Sequence, residues 1–390
     1  MGKANVKITA FIATILMLGL GGCAVNPVTG QNEIALVSDA QAIAIGRQQY
    51  GPAQQMQGGE LRISPGLSSY VNQVGQKLAR ASGVNLPYEF VVLNNGTPNA
   101  WALPGGKIAI NRGLLTRLDN ESELAAVLAH EIAHAAARHG AKRLERQMLT
   151  QTVIAVAQAG ASGSAVGQEV IGYAAQGAQL LGLKYSRDAE READYYGMNF
   201  MVDAGYSPQG AVTLQQKFVE MQAGAPNAGL MSSHPASQER VENNRGRAVK
   251  LRQRQPGATF FGSNEYRQAM TELAEAAPAY EAYEEAGALL EVGSYDAAAT
   301  EVSRAIRLLD REAQFHGLRG AIRMQQERYD DAVINFNRAI ERDPEYFGYY
   351  LHRGAIKSKQ GKRQEARQDL ERSMALLPTA QAQEMLKGLQ

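Results

Sequence analysis

The sequence contains one cysteine, one tryptophan and six histidines in 390 residues. A lone cysteine excludes an intrachain disulfide, a CxxC redox pair, a four-cysteine zinc ribbon and an iron–sulfur site. Any metal site must therefore be built from histidine and carboxylate. An excess of charge of one sign is also missing, with 40 Lys+Arg against 39 Asp+Glu. A nucleic-acid binder normally carries a basic domain, so nucleic acid is not an expected partner. Long apolar runs are scarce. Ile8 to Leu20 spans only 13 residues, and the stretch 151–184 is broken by Gln151, Gln158, Gln168, Glu169, Gln176 and Gln179. Neither reaches the ~20 residues of a spanning helix. What is present, 45% hydrophobic and 20% charged, is a globular composition. The length suits two or three domains of ~100–200 residues each.

Residues 1–22 read as an export signal. Lys3 and Lys7 form a positive n-region, Ile8–Leu20 the apolar h-region, and Leu20-Gly21-Gly22-Cys23 resembles a lipobox. On this reading Cys23 becomes the lipidated first residue of the mature chain and its membrane anchor, each buried methylene contributing ~0.8 kcal/mol. Ala24 in place of Asp points to the outer membrane of a Gram-negative bacterium, with the chain in the periplasm.

The C-terminus repeats itself at a period of 34 residues. Ala286, Gly320 and Gly354 fall in register, as do Ala298, Ala332 and Ala366, and Val302, Phe336 and Leu370. Small residues at close helix crossings with large ones between them are what stacked helical hairpins need. The pattern resembles the tetratricopeptide repeat (TPR). Repeats are expected at about 279–312, 313–346 and 347–380, within a domain 258–390 that begins near Gln255-Pro256-Gly257. Such an α-solenoid presents a concave surface to a peptide or partner protein. His316 and His352 are read as structural or surface residues.

The chemistry lies in the middle, 23–257. Asn120 can cap a helix whose first turn holds Glu121 and Glu123, and Gly140 is the expected stop. His130 and His134 are four apart and project from one face. Two imidazoles so placed can hold one zinc ion per chain. Glu131 follows the first histidine and reaches the metal-bound water as general base. This HExxH string recurs by chance, and its place in an Ala/Leu helix strengthens it. His139 lies nine residues from His130 on a continuing helix, about half a turn away from the pair. It is expected on the far side of that helix and not as a ligand. A third ligand is expected in Ser186-Arg187-Asp188-Ala189-Glu190-Arg191-Glu192-Ala193-Asp194. Glu190 and Asp194 share a face, so Glu190 can take the metal while Asp194 accepts the N–H of a ligand histidine. Taken alone, the segment also reads as a solvated charged helix.

HEIAH at 130–134, the SRDAEREAD run at 186–194 and NAWALPGG at 99–106 resemble the zinc peptidase family of HtpX and the CaaX prenyl proteases. Asn26-Pro27-Val28-Thr29-Gly30 resembles its soluble lipoprotein branch. The resemblance implies that Glu190 is the third zinc ligand, and it places the HPxxxxR element, His234 to Arg240, by the active site. His234 then either donates to the tetrahedral intermediate or fills the fourth zinc position and shuts the enzyme off, and Arg240 supports either role. The membrane-embedded relatives carry spanning helices where this chain has 151–184, which is expected to be helical beside the cleft. Residues 99–110 read as strand, turn, strand. That unit is either a plain hairpin or an edge that takes an extended peptide. Trp101 is expected to pack, and the basic run Arg240 to Arg254 to form a solvated face.

The expected fold is mainly α. An α+β zincin-like (gluzincin-type) domain with a small β-hairpin or sheet is followed by an α-solenoid of TPR repeats. The expected activity is that of a zinc metalloendopeptidase acting on unfolded or misassembled envelope and outer-membrane proteins. The repeats would dock on the outer-membrane protein assembly machinery. The rival reading is a TPR chaperone or assembly factor with a latent peptidase domain.

Overall fold

The computed structural model describes residues 23–162, 184–224 and 229–389. The signal segment 1–22 and most of the expected 151–184 helix lie outside the described residues. Among the described residues, no helix is long and apolar enough to cross a membrane.

The chain opens with an antiparallel ribbon, β1 (Cys23–Val25) and β2 (Asn32–Ile34). Its turn is built by Asn26, whose Oδ1 accepts from the backbone N–H groups of Val28 and Thr29 at 3.0 and 3.1 Å. Helix α1 (Asp39–Met56) starts with a Ser38/Gln41 capping box. Helix α2 (Pro65–Ala81) buries Leu67, Val71, Val74 and Leu78, the stripe of an amphipathic helix.

A three-stranded sheet follows in the order β3-β5-β4. β3 (Glu89–Leu93) runs parallel to β5 (Lys107–Asn111), and β4 (Ala100–Leu103), buried along its length, pairs antiparallel with the other side of β5. The strand–turn–strand expected at 99–110 is thus the β4–β5 hairpin, its turn carried by Gly105 and Gly106 at φ +76 and +81. Trp101 is buried and meets Tyr50 edge to face at 6.1 Å.

Helix α1 crosses this turn closely. A Cβ at Gly46 would stand 1.7 Å from the Pro104 carbonyl oxygen. Backbone cannot yield as a flexible side chain does, so Gly46→Ala is expected to cost ~1–3 kcal/mol. Thermal unfolding checks this, and an unchanged midpoint would contradict the close crossing.

Helix α3 (Glu121–Ala136) runs through the centre and is buried almost throughout. Asn120 caps it, accepting from Glu123 N–H at 3.0 Å. Beyond the link 137–138, α4 (His139–Ser162) leads off. Helix α5 (Arg187–Asp203) packs on α3 with almost no gap. A Cβ at Gly197 would already lie 3.1 Å from the backbone of Ala129 and His130. This contact brings the carboxylates of α5 against the histidines of α3. Helices α6 (Gln209–Gly224) and α7 (Gln238–Arg254) complete the layer.

Two short helices, α8 (Ser263–Ala269) and α9 (Thr271–Glu275), lead into the repeats. Tyr266 on α8 donates to the Leu115 carbonyl at 2.6 Å. Three helical hairpins then stack: α10 (Ala277–Glu291) with α11 (Tyr295–Leu308), α12 (Ala313–Gln325) with α13 (Tyr329–Arg342), and α14 (Phe347–Lys359) with α15 (Arg363–Leu376). Helix α16 (Ala380–Gly388) follows. The register of small residues is explained at the crossings. Ala298, Ala332 and Ala366 are fully buried, and a Cβ at Gly320 would meet the Phe336 ring at 2.9 Å. The expected mainly helical fold with a small sheet and TPR-type repeats is what the chain adopts.

The array rests on the first part of the chain. The Arg112 guanidinium lies 3.6 Å over the Tyr280 ring, and Gln314 donates to the carbonyls of Gly58 and Asn94 at 2.9 and 2.8 Å. Arg62 pairs with Asp343 at 2.7 Å.

Candidate metal centre

The histidines of α3 meet the carboxylates of α5 and one loop histidine. His130 and His134, one helical turn apart, bring their Nε2 atoms to 3.0 Å. Glu190 approaches from α5, with Oε1 3.4 Å from His134 Nε2 and Oε2 3.5 Å from His130 Nε2. His234 enters from the loop before α7, its Nδ1 2.9 Å from Glu190 Oε1 and 3.4 Å from His130 Nε2. One ligand atom from each of these four residues lies within 4.8 Å of every other.

This donor set fits a metal ion. Imidazole nitrogens ~2.0–2.1 Å from one tetrahedral ion stand ~3.3 Å apart, close to the separations seen. Three imidazoles and a carboxylate that are mostly buried and converge on one point are the donor chemistry a divalent ion such as zinc takes. Glu131, beside the cluster, has its buried Oε2 without a hydrogen-bond partner, while its Oε1 faces His234 Nε2 at 3.7 Å.

The surroundings hold the donors in place. Asp194 Oδ1 lies 3.0 Å from His130 Nδ1, where it accepts the ring N–H and leaves Nε2 facing inward. Arg240, buried, grips Asp194 through Nε and Nη2 at 2.7 and 2.8 Å and Glu190 through Nη1 at 2.8 Å. It also donates to the Pro235 carbonyl at 3.0 Å, which fixes the loop carrying His234. Sequence reasoning left the partners of Arg240 open, because two carboxylates from a helix 46 positions away leave no local pattern. Tyr185, also missed, stacks on the His134 ring at 3.9 Å.

The electrostatics are uneven. Burial works to raise Glu190, but the facing His234 and Arg240 outweigh it and hold the carboxyl well below its ordinary range. Burial pushes Glu131 upward against the pull of His234 and His130. His130 resists its burial because Asp194 and Glu190 accept from it, and it is pushed up to about 10. His134 falls well below its ordinary value, chiefly through burial.

Three expectations need correction. His139 does not lie on the far side of α3. That helix ends at Ala136, and Arg138 takes a left-handed φ of +61, so the chain turns and returns His139 to within 2.9 Å of His134, Nδ1 to Nδ1. The stop is therefore Arg138 and not Gly140, which sits in the first turn of α4. The Arg240 to Arg254 run is only partly solvated: Arg247 lies 3.5 Å over the Tyr195 ring and donates to Asn199 at 2.7 Å.

Comparison with known proteins agrees with the site. The model of "Peptidase family M48" matches residues 65–248, which contain the whole cluster. The "Beta-barrel assembly-enhancing protease" of Escherichia coli (strain K12) is 31% identical over 195 residues, 48% of this chain and 40% of that protein. The chain therefore spans about two fifths of the length of that relative. "Mitochondrial metalloendopeptidase OMA1" of Schizosaccharomyces pombe is 37% identical over 44% of this chain and 50% of its own length. A solved Arabidopsis OM64 TPR domain aligns over 30% of this chain and 96% of its own, with 21% identity and a TM-score of 0.29. "Metalloprotease YcaL" of Escherichia coli (strain K12) is 30% identical over 260 residues, 62% of this chain and 97% of that protein. A match covering nearly all of a metalloprotease, together with a family match that encloses the His/Glu cluster, shows that this chain belongs to peptidase family M48.

Proposed function

We propose that the chain is a zinc metalloendopeptidase in which His130, His134 and Glu190 hold the ion and Glu131 is the general base. The observation that carries this reading is the convergence of these donors within 4.8 Å, with Glu131 beside them on the same helix. Zinc, when bound, lowers the pKa of its water toward ~7 and polarises the scissile carbonyl. Glu131 receives the proton of the attacking water and hands it to the leaving amine. Its upward shift under burial supports this role, because a base held nearer neutrality is better matched to passing the proton on. Asp194 fixes the tautomer of His130, and Arg240 fixes both carboxylates.

His234 supports a gated version of this enzyme. Its Nδ1 stands among the ligand atoms, where an exchangeable water would sit in an open catalytic site. We therefore favour the inhibitory role over the oxyanion role. His234→Ala is expected to raise cleavage of an unfolded protein such as casein. A fall to a few per cent would favour the oxyanion role, and no change would discard both. The same placement also supports the reading of an assembly factor with a latent peptidase.

The substrates we propose are misfolded or misassembled envelope and outer-membrane proteins. The name of the E. coli relative, the lipobox-like segment ending in Cys23 and the repeats support this reading. The chain would be lipid-anchored at Cys23 in the periplasm, with residues 258–390 engaging the outer-membrane protein assembly machinery. Labelling with a lipid precursor and fractionation, beside a Cys23→Ser variant, tests the anchor. Unlabelled parent chain would remove it.

A further inference from the structure

We propose that His139 is a positioning residue for His134, and that Glu192 holds His139 in the tautomer this requires. The proposal rests on the reading of His134 as a metal ligand.

His134 points Nε2 into the cluster, so its ring proton must sit on Nδ1. A ligating histidine almost always donates that N–H to a fixed acceptor. For His130 the acceptor is Asp194 at 3.0 Å. For His134 the atom in that place is Nδ1 of His139, at 2.9 Å, with both rings buried. An imidazole nitrogen accepts only when unprotonated, so His139 must carry its proton on Nε2. That atom faces Glu192 Oε1 at 3.6 Å, beyond a direct hydrogen bond, and Glu192 Oε1 is a buried acceptor with no hydrogen-bond partner of its own. The His134–His139 contact thus has one proton assignment, and the Glu192 carboxylate faces the nitrogen that this assignment protonates.

The geometry depends on a backbone feature that nothing else in the site requires. Only the left-handed turn at Arg138 brings His139 back onto His134. Arg138 is held there by Asp39 at 2.9 Å and by the Val37 carbonyl. Asn26 pins the same link, donating to the Ala137 carbonyl at 3.3 Å. The two ligand histidines therefore have different supports, a carboxylate behind His130 and a neutral imidazole behind His134.

The test is the affinity of the purified full chain for Zn2+, measured by competition with a chromophoric chelator. His139→Phe keeps the bulk of the ring and removes the acceptor. It is expected to weaken binding ~10–100-fold. His139→Asn places a carbonyl oxygen near the position of Nδ1 and should recover most of that loss, which a merely packing role would not produce. Glu192→Ala, at a partly exposed position, removes the acceptor that faces His139 Nε2; it is expected to fold normally and to weaken binding less than His139→Phe. His139→Phe binding as tightly as the parent, or His139→Asn binding as weakly as His139→Phe, would overturn the role of His139. If His139→Phe does not fold, His139→Asn and Glu192→Ala decide. Affinity far below the parent in the first, or unchanged in the second, refutes the arrangement. A parent chain that binds no Zn2+ would overturn the metallopeptidase reading itself.

Discussion

Glu131→Gln is expected to abolish measurable cleavage of casein while Zn2+ binding stays within a few-fold of the parent. The amide has nearly the shape of the carboxylate but accepts no proton from the attacking water. Removing a general base costs ~10²–10⁴-fold in turnover. Glu131 is the natural site for the test because it lies next to the proposed ligands and is not one of the converging His130, His134, Glu190 and His234. The residue is buried, and among the described residues His234 faces its Oε1 at 3.7 Å. A loss of the metal along with activity would make Glu131 a ligand or a structural group. Full activity would remove the mechanism.

Arg240→Met is expected to have the second large effect, on stability. Arg240 is buried between Glu190 and Asp194, which also face His130. Removing the cation leaves two buried carboxylates side by side. Breaking a buried pair in this way costs ~3–5 kcal/mol, because a charge is left uncompensated. Urea unfolding of chelator-treated protein measures it. Adding Asp194→Asn to Arg240→Met should restore part of the loss, since the two residues share one network. A variant as stable as the parent would show that the histidines alone support both carboxylates.

The same network carries a pH dependence of known sign. Both carboxyls are held below their ordinary values in the fold: Glu190 by His234 and Arg240, and Asp194 by Arg240 and His130, each against the opposing effect of burial. Their contribution is therefore complete above the unfolded carboxyl values of ~3.9–4.3. It is lost as pH falls through the depressed folded values. Arg240→Met should lose less stability than the parent over that acid range.

Much of this was legible in the residues, for identifiable reasons. Spacing on a helix is geometry, so His130 and His134 at four apart, and Glu190 and Asp194 at four apart, predicted shared faces. The 34-residue period was legible because the two helices of each hairpin meet through the same small residues: a Cβ at Gly320 would meet the Phe336 ring, and one at Gly354 the Ala366 carbonyl. What stayed hidden depends on contacts distant in sequence. Arg138 carries no local sign of a left-handed φ, since glycine is the usual occupant there. Asp39, Val37 and Asn26 hold it from another part of the chain, and His139 was misplaced as a result. The parallel pairing of β3 with β5 was hidden for a similar reason, because the antiparallel β4–β5 hairpin is local and the parallel partner is not.

The most direct test of the account is the metal content of the purified chain, together with casein cleavage before and after treatment with a chelator. The account predicts one zinc per chain, cleavage that is lost with the metal, and recovery when zinc is returned. Cleavage that survives removal of the metal, or a chain that binds none, would contradict it.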